Sequence, residues 1–407
     1  MKKTGFGKML LLGLGIFALA GCNPTPTDPS TDGMKVGLIC LHDSTSTYDK
    51  NFIDALNTTV EELPDDVSKA IIKTGVSEDQ SAYVAAKDLV KQGCKVIFAD
   101  SFGHEDFVLQ AARDYPNVTF CHATGTKAKI ANVANFHNAF ASIYEGRYVA
   151  GYAAGLKLKD MIEQNQLKAD NYRGDDIVIG YIGAYPYAEV ISGYTSWYLG
   201  VREVVSNVIM DVLFTNSWYD FNAEKTGVAT LAGRGAAIIS QHADSMGAPG
   251  ECETYGIPNV TYNIPTGDQC PSTYLAFSKI NWSPYYEAVI KAVKNGTSIE
   301  HEVNNNYTGT IGTKSVQYDC AVDEYKAELK IVEDELVAGT RKVFDCSKFT
   351  VNGEHLTSYL ADVDDFGDFV PETEVITTEN GITYFNESAL RSAPYFDIQI
   401  DGINKLS

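Results

Sequence analysis

A regular alternation of short apolar runs with longer segments of helical spacing is the feature that most constrains the fold of this chain. Residues 35–41 form a near-continuous apolar run of strand length, and residues 52–63 follow with apolar side chains at helical intervals. The alternation continues with strands at 70–74, 95–99, 118–122 and 133–136 and helices at 81–92 and 107–115. Strands that are apolar along their whole length and alternate with helices indicate a parallel sheet covered on both faces.

A second series of the same kind begins after a predicted helix at residues 141–158. Its strands are predicted at 177–182, 208–214, 236–240 and 259–263, and its helices at 187–205 and 223–232. The two series predict an α/β fold of two doubly wound parallel-sheet lobes joined by a hinge. Such lobes bind their ligand at the carboxyl ends of both sheets, which face each other across a cleft.

Each predicted lobe is built from two stretches of chain. Lobe 1 takes residues 34–140 and 264–310, because the strand at 275–280 and the helix at 283–295 are expected to close the first sheet. Lobe 2 takes residues 141–263 and 311–355. Residues 356–407, which are rich in Asp and aromatic residues, are assigned to a C-terminal extension of unknown role.

The N-terminal residues predict export and a lipid anchor. Lys2, Lys3 and Lys8 flank an apolar stretch at residues 9–20 that is too short to span a membrane, which is typical of a signal peptide. Leu-Ala-Gly-Cys at residues 19–22 resembles a lipobox, after whose cleavage Cys22 becomes the lipidated N-terminus; an ordinary secretory signal with a chance cysteine is the alternative. Residues 23–33 are proline-rich and predict an extended tether. We therefore expect the protein to lie, lipid-anchored, on the extracytoplasmic face of the cell membrane.

The net charge limits the partners of the protein. The formal net charge at pH 7 is −21, and the chain lacks the clustered Lys and Arg that bind a phosphate backbone. Nucleic acid is therefore excluded as a partner, and highly charged anions are disfavoured as ligands. After the signal peptide no stretch approaches the length of a transmembrane helix, so the lipid anchor is the expected membrane contact.

The cysteines show neither a CxxC pair nor a metal-ligand spacing. Of the eight cysteines, seven remain when Cys22 is set aside, and export permits disulfides among them. Cys252 with Cys270 and Cys320 with Cys346 are two pairings that the sequence allows, and a protein without disulfides is equally compatible with it.

Several segments together resemble the basic membrane protein family. They are residues 35–49, residues 140–155 with a Tyr-x-x-Gly-x-x-Ala-Gly pattern at 148–155, Ile-Gly-Tyr-Ile-Gly at 179–183, and Gln-His-Ala-Asp-Ser at 241–245. The resemblance covers residues 35–355 and does not extend to the C-terminal extension. It implies a substrate-binding lipoprotein of an ABC transporter that captures a purine nucleoside or base, closes around it and docks on a permease. No enzyme activity, cofactor or bound metal is implied.

The resemblance also implies a set of site residues. Tyr48 and Asp49 stand where nucleoside-binding members usually have Phe and Asn, and Trp218 aligns with a second stacking aromatic from the other lobe. Asn263 stands where the family often has an aspartate that holds the ribose hydroxyls, and Lys279 aligns within one residue of a family lysine. The departures weaken the purine assignment but not the position of the cleft.

Polar and aromatic residues that follow predicted strands complete the expected ligand site. Phe102 and His104 follow the strand at 95–99, and Gln241, His242 and Asp244 follow the strand at 236–240. Residues that directly follow parallel strands lie at the same edge of the sheet, where the ligand binds.

Each of these residues also has a structural interpretation. Tyr48 and Trp218 are also typical of packing at the ends of strands and helices, and Asp49 and Asn263 are favoured as helix N-caps. His104 and His242 are compatible with hydrogen-bonded structural roles. The glycines at residues 151–155 indicate close helix packing and no ligand role.

Other functional classes have less support in the sequence. No Gly-x-Ser-x-Gly, Gly-x-x-x-x-Gly-Lys-Ser/Thr or His-Glu-x-x-His motif is present, so nothing indicates hydrolysis or phosphoryl transfer. A zinc-capture lipoprotein is an alternative, because His42, His104, His122 and His242 all fall near predicted strand ends. A ligand sensor or adhesin that reuses the same fold is a third possibility.

Overall fold

The structure is a computed structural model that describes residues 33–300, 302–303, 309–363 and 372–406. The predicted signal peptide with Cys22, and all but the last residue of the predicted tether, lie outside the described residues. Within these ranges no helix combines the length and the apolar composition that crossing a membrane requires.

Strands and helices alternate in the first part of the chain, as the apolar pattern predicts. The strands here are buried on both faces, because Val36 and Leu38 pack into one apolar cluster and Ile39 packs into another. The elements are β1 (Met34–Ile39), α1 (Thr47–Glu62), β2 (Val67–Lys73), α2 (Gln80–Lys91), β3 (Cys94–Ala99), α3 (Glu105–Asp114), β4 (Thr119–Ala123), α4 (Ala128–Ala131) and β5 (Phe136–Ala139).

The second part of the chain continues the alternation with longer helices. Its elements are α5 (Ile143–Glu163), β6 (Tyr172–Arg173), β7 (Asp176–Gly183), α6 (Ala188–Val204), β8 (Val208–Phe214), α7 (Phe221–Gly233), β9 (Ile239–Gln241), α8 (Gly247–Tyr255), β10 (Asn259–Tyr262), β11 (Tyr274–Ile280), α9 (Ser283–Asn295), β12 (Glu302–Val303), β13 (Val316–Cys320) and α10 (Lys326–Val337).

The C-terminal extension adds short strands to this framework. They are β14 (Leu360–Ala361), β15 (Thr373–Glu374), β16 (Ile376–Glu379), β17 (Ile382–Phe385) and β18 (Ile403–Lys405). β14 pairs with β15 and β16 with β17, both antiparallel, whereas β18 pairs in parallel with β8. The extension is thus joined to the second lobe by backbone hydrogen bonds.

Two main sheets form the cores of two lobes. The first has the order β12-β5-β4-β3-β1-β2 with all strands parallel. The second has the order β13-β11-β10-β9-β7-β8-β18 and is parallel except for β13, with β6 also pairing antiparallel to β7. The prediction of two doubly wound α/β lobes is confirmed.

One strand lies in the other sheet from the one expected. The prediction that residues 275–280 close the first sheet is wrong, because β11 pairs with β10 and β13 in the second sheet. The helix that follows it does pack on the first lobe, where Trp282 stacks on Phe52 with ring centroids 4.5 Å apart. A strand that is apolar on both faces fits the interior of either sheet, so its composition does not show which neighbour it pairs with.

Close packing of α5 against α6 explains the glycines of the Tyr-x-x-Gly-x-x-Ala-Gly pattern. A Cβ atom at Gly151 would lie 2.1 Å from the carbonyl oxygen of Trp197, and one at Gly200 would lie 2.2 Å from that of Tyr148. The interpretation of this spacing as helix packing is therefore confirmed.

The described cysteines are all free and buried. Cys252 and Cys270 are not bonded to each other, and neither are Cys320 and Cys346. Both disulfide pairings named from the sequence are therefore absent from the described residues.

Candidate functional site

A cavity of about 300 Å³ lies between the two lobes at the carboxyl ends of their parallel strands. From lobe 1 the segments after β1, β3 and β4 reach it, and from lobe 2 those after β7, β8 and β9. This is the position that the topology of doubly wound sheets predicts for a ligand. The predicted ligand residues that line it are Tyr48, Asp49, Phe102, Trp218, His242 and Asp244.

Contacts around the cavity join the two lobes. The backbone N–H of Thr47 donates to the carbonyl oxygen of Asp244 over 2.8 Å. The rings of His42 and Tyr219 also meet across the cleft, with centroids 5.3 Å apart. The structure therefore represents a closed arrangement of the lobes.

Aromatic rings from both lobes form the walls of the cavity. Phe102 of lobe 1 faces Tyr187 of lobe 2 at a centroid distance of 5.3 Å. Trp218 packs against Tyr185 and Tyr187 at 5.2 and 5.9 Å. Tyr48 is half-buried, and its hydroxyl donates to the carbonyl oxygen of Asp100 over 2.7 Å. The aromatic surfaces suit a flat ring, which stacks on such faces.

Asp49 has a structural role in addition to lining the cavity. It lies in the first turn of α1, whose N-cap is Ser46, and it accepts hydrogen bonds from the Ser46 hydroxyl (2.6 Å) and the His42 backbone N–H (2.8 Å). Burial by itself would raise the pKa of Asp49, but the hydrogen bonds from His42 and Ser46 outweigh it and lower that pKa. An ionised Asp49 thus ties the loop at His42 and Ser46 to the first turn of α1, which also carries Tyr48.

A network of polar side chains lies on the lobe 2 side. His242 Nε2 is 2.7 Å from a carboxylate oxygen of Glu189, and His242 Nδ1 is 3.3 Å from the Tyr181 hydroxyl. The Tyr181 hydroxyl also accepts from the buried guanidinium of Arg147. Because these contacts fix both ring nitrogens, His242 presents its ring to the cleft in one orientation.

Acidic side chains converge at the cavity. Burial and the neighbouring charge of Asp49 raise the pKa values of both Asp100 and Asp244 well above their ordinary value. Donor atoms of Cys40, Asp49 and Asp100 all lie within 4.8 Å of one another. A raised pKa favours the protonated carboxylic acid, which donates as well as accepts a hydrogen bond.

The remaining predicted ligand residues do not line the cavity. His104 is buried, with Nε2 2.8 Å from the carbonyl oxygen of Val76, and Gln241 is buried beside Ala243. Asn263 reaches the site only through its amide, which donates to Asp244 over 3.3 Å.

Lys279 also lies away from the cavity. Its side chain lines a separate groove together with residues of α1, including Lys50 and Asp54. The lysine position implied by the family resemblance is thus not part of this cleft.

The histidines proposed for zinc do not converge. His104 Nε2 and His122 Nε2 each contact a backbone carbonyl oxygen, those of Val76 and Ser101. Burial lowers the pKa values of both histidines to about 4, so they are neutral at neutral pH. Among the described residues, the group of Cys40, Asp49 and Asp100 is the one whose donor atoms are close enough together to hold a metal ion.

The lining residues that were not predicted include two sets from distinct parts of the chain. Tyr187 and Glu189 follow β7, a position equivalent to that of the predicted residues after β1, so their place in the fold was a usable signal. The C-terminal extension contributes Arg391, Ala393, Pro394 and Asp397. Neither periodicity nor motif in the extension indicates that it reaches the cleft.

Comparison with known proteins gives one family match. A sequence model of the Bmp family, described as ABC transporter substrate-binding protein PnrA-like, matches residues 37–337. A purine-binding protein of Brucella abortus (strain 2308) is 33% identical over 267 residues, which are 65% of this chain and 70% of that protein.

A second relative is a protein of Haloferax volcanii named for glucose binding by an ABC transporter. It is 29% identical over 202 residues, which are 50% of this chain and 46% of that protein, so this chain spans less than half of its length.

The fold is shared with a solved structure. An ABC transporter solute-binding protein from Aeropyrum pernix K1 superposes with a TM-score of 0.60 at 12% identity, covering 79% of this chain and 94% of that one. At this identity the likeness concerns the fold, which is that of type I periplasmic binding proteins.

Proposed function

Because this chain belongs to the Bmp family of PnrA-like ABC transporter substrate-binding proteins, we propose that it captures a purine nucleoside or a related heterocycle for an ABC importer. Proteins of this family bind small solutes outside the cytoplasm, deliver them to a permease and are not a class of enzyme. The purine ligand of the Brucella abortus relative supports the choice of solute.

The observation that carries the proposal is a small closed cavity with aromatic rings on opposite lobes. Its volume of about 300 Å³ lies at the lower end of the range for ligand pockets and suits a compact solute. Tyr48 and Phe102 come from one lobe, and Tyr187 and Trp218 come from the other. A nucleobase stacked on such rings gains roughly 1 to 3 kcal/mol per stacking contact.

Closure of the lobes is the proposed mechanism of capture. The solute enters between the open lobes, stacks on the aromatic residues and is enclosed when the hinge brings the second lobe into contact. In the closed form the backbone N–H of Thr47 donates to the carbonyl oxygen of Asp244, so a backbone hydrogen bond joins the two lobes across the cleft. The closed form is the one that docks on the permease.

Selectivity comes from polar groups that line the enclosed space. His242 and Glu189 form a fixed pair, and Asp244 is buried with a raised pKa. A solute that leaves such groups without hydrogen-bond partners costs about 1 to 3 kcal/mol per unsatisfied group. The wrong solute is therefore rejected by the groups it fails to pair.

The same proposal includes a lipid anchor on Cys22. The lipobox-like residues 19–22 support it, and incorporation of labelled palmitate in cells tests it. Label should be lost in a Cys22→Ser variant; label retained in that variant would place the lipid elsewhere.

Calorimetric titration of the full chain carrying Cys22→Ser tests the ligand. Adenosine, guanosine, inosine, uridine and the free purines are titrated, with D-glucose and Zn²⁺ as further arms because of the Haloferax volcanii relative and the Cys40, Asp49 and Asp100 group. Sub-micromolar binding of a purine compound is expected. If glucose or zinc binds and none of the purine compounds does, the proposed ligand is wrong and the solute that binds replaces it.

A further inference from the structure

The C-terminal extension supplies one wall of the ligand cavity. Arg391, Ala393, Pro394 and Asp397 line it together with residues of both lobes. All of them lie beyond residues 37–337, the part of the chain that the family model matches. This wall is therefore an addition to the site that the family resemblance accounts for.

Hydrogen bonds within the extension hold the wall in place. The buried guanidinium of Arg391 donates to the carbonyl oxygens of Ala393 (3.0 Å), Val363 (2.9 Å) and Pro394 (2.7 Å). These three hydrogen bonds hold the backbone of the wall in one conformation. Ala393 and Pro394 then present an apolar surface to the cavity.

The wall is also attached firmly to lobe 2. Within the extension, Glu387 accepts hydrogen bonds from the backbone N–H groups of Tyr395 (2.8 Å) and Phe396 (3.2 Å), and the contacts of Phe396 and β18 then join the extension to lobe 2. Phe396 stacks on Phe344 with centroids 4.3 Å apart, and β18 continues the second sheet beside β8. A wall anchored in this way moves with lobe 2 when the cleft opens and closes.

Asp397 is the polar end of the wall. Its side chain is exposed, whereas Ala393 and Pro394 are buried, so the carboxylate lies at the rim of the cavity. Its Oδ1 accepts from the Tyr359 hydroxyl over 2.6 Å, and within the described residues its Oδ2 has no protein donor. An ionised carboxylate only accepts hydrogen bonds, so a complementary ligand must present donors here.

We propose that the C-terminal wall contacts the bound solute and that Asp397 determines specificity by accepting a hydrogen bond from a sugar hydroxyl of a nucleoside. The flat ring lies among the aromatic residues, the apolar surface of Ala393 and Pro394 borders it, and the sugar reaches the rim. The inference rests on the proposed function and deepens it, because it separates nucleosides from free bases.

Paired titrations of nucleoside and base test the inference. Asp397→Asn and the control Asp401→Asn, in the Cys22→Ser chain, are titrated with inosine and hypoxanthine and with adenosine and adenine. Asp401 lies in the same extension and loses the same charge, but its carboxylate accepts from the backbone N–H of Asn352 and Gly353 and does not line the cavity.

Loss of a hydrogen bond to a charged group predicts about tenfold weaker nucleoside binding by Asp397→Asn, with base binding changed by less than about twofold. Asp401→Asn should leave both affinities unchanged. Tyr359→Phe removes the donor to Oδ1 but keeps the carboxylate, so it should weaken nucleoside binding less than Asp397→Asn does.

The outcomes separate this inference from the proposed function. Equal effects of Asp397→Asn on nucleoside and base, or no effect on either, overturn the role of Asp397 while purine binding by the parent chain stands. An equal loss in Tyr359→Phe and Asp397→Asn would show that the extension acts through its fold and not through contact. Absence of purine binding by the parent chain overturns the proposed function and this inference with it.

Discussion

Replacement of Trp218 by alanine is the most direct test of the aromatic site. Trp218 is half-buried, contacts Tyr185 and Tyr187, and presents the rest of its ring to the cavity. A base that stacks on this ring gains roughly 1 to 3 kcal/mol, which corresponds to about 5-fold to 150-fold in affinity. Tryptophan has the largest aromatic face, so we take the upper part of this range and expect Trp218→Ala to weaken purine binding by more than about tenfold.

The assay compares dissociation constants by calorimetry and unfolding midpoints by thermal denaturation. Trp218→Phe keeps a ring at the same place and should retain most of the affinity, because a smaller aromatic face still stacks. Tyr255→Ala removes an exposed aromatic residue at the end of α8, which does not line the cavity, and should bind like the parent. Parent-like affinity in a folded Trp218→Ala protein would remove Trp218 from the ligand site and refute stacking on this wall.

Three further outcomes follow from the described contacts. Gly151→Ala should lower the free energy of unfolding by about 1 to 3 kcal/mol or more, since its Cβ would lie 2.1 Å from the carbonyl oxygen of Trp197; an unchanged denaturation midpoint would contradict the close packing of α5 on α6. Burial raises the pKa of Glu387 from 4.5 to about 8, so its contribution to stability is present below pH 4.5 and lost as the pH rises through about 8. Thermal unfolding of Glu387→Gln should therefore show a smaller loss of stability between pH 5 and pH 8 than the parent, and identical profiles would refute this assignment. Lys279→Ala should change purine affinity by less than about twofold in calorimetry, because Lys279 lines a separate groove; a large loss would place it in the site.

The sequence predicted the parts of the fold that depend on local pattern. The apolar runs are the buried strands of the two main sheets. Residues in the segments that follow these strands, such as Tyr48 and Trp218, lie at the cavity. Strand ends converge for reasons of topology, so this part of the site is predictable without knowledge of side-chain contacts.

The features that the sequence did not predict depend on contacts between distant parts of the chain. The composition of β11 fits either sheet, and its place in the second sheet is seen only from its pairing with β10 and β13. His104 follows a strand as Phe102 does, but its ring turns inward to the carbonyl oxygen of Val76. Arg391 and Asp397 reach the cavity through a fold of the extension that has no periodic pattern in the sequence.

Each lobe has one acidic residue in the first turn of a helix at the cavity and one buried aspartate after a strand, and this arrangement limits the charge that the ligand can carry. Asp49 lies in the first turn of α1 and Glu189 in the first turn of α6, where the positive end of each helix stabilises a negative charge. Asp100 after β3 and Asp244 after β9 are buried, and their raised pKa values favour the neutral acid. Asp49 thus keeps its charge at a helix N-terminus, whereas burial suppresses the charges of Asp100 and Asp244. A phosphate ester would bring further negative charge into a cavity lined by Asp49 and Asp244, where the Arg391 guanidinium already donates to backbone carbonyl oxygens. This arrangement favours an uncharged solute with several hydrogen-bond donors.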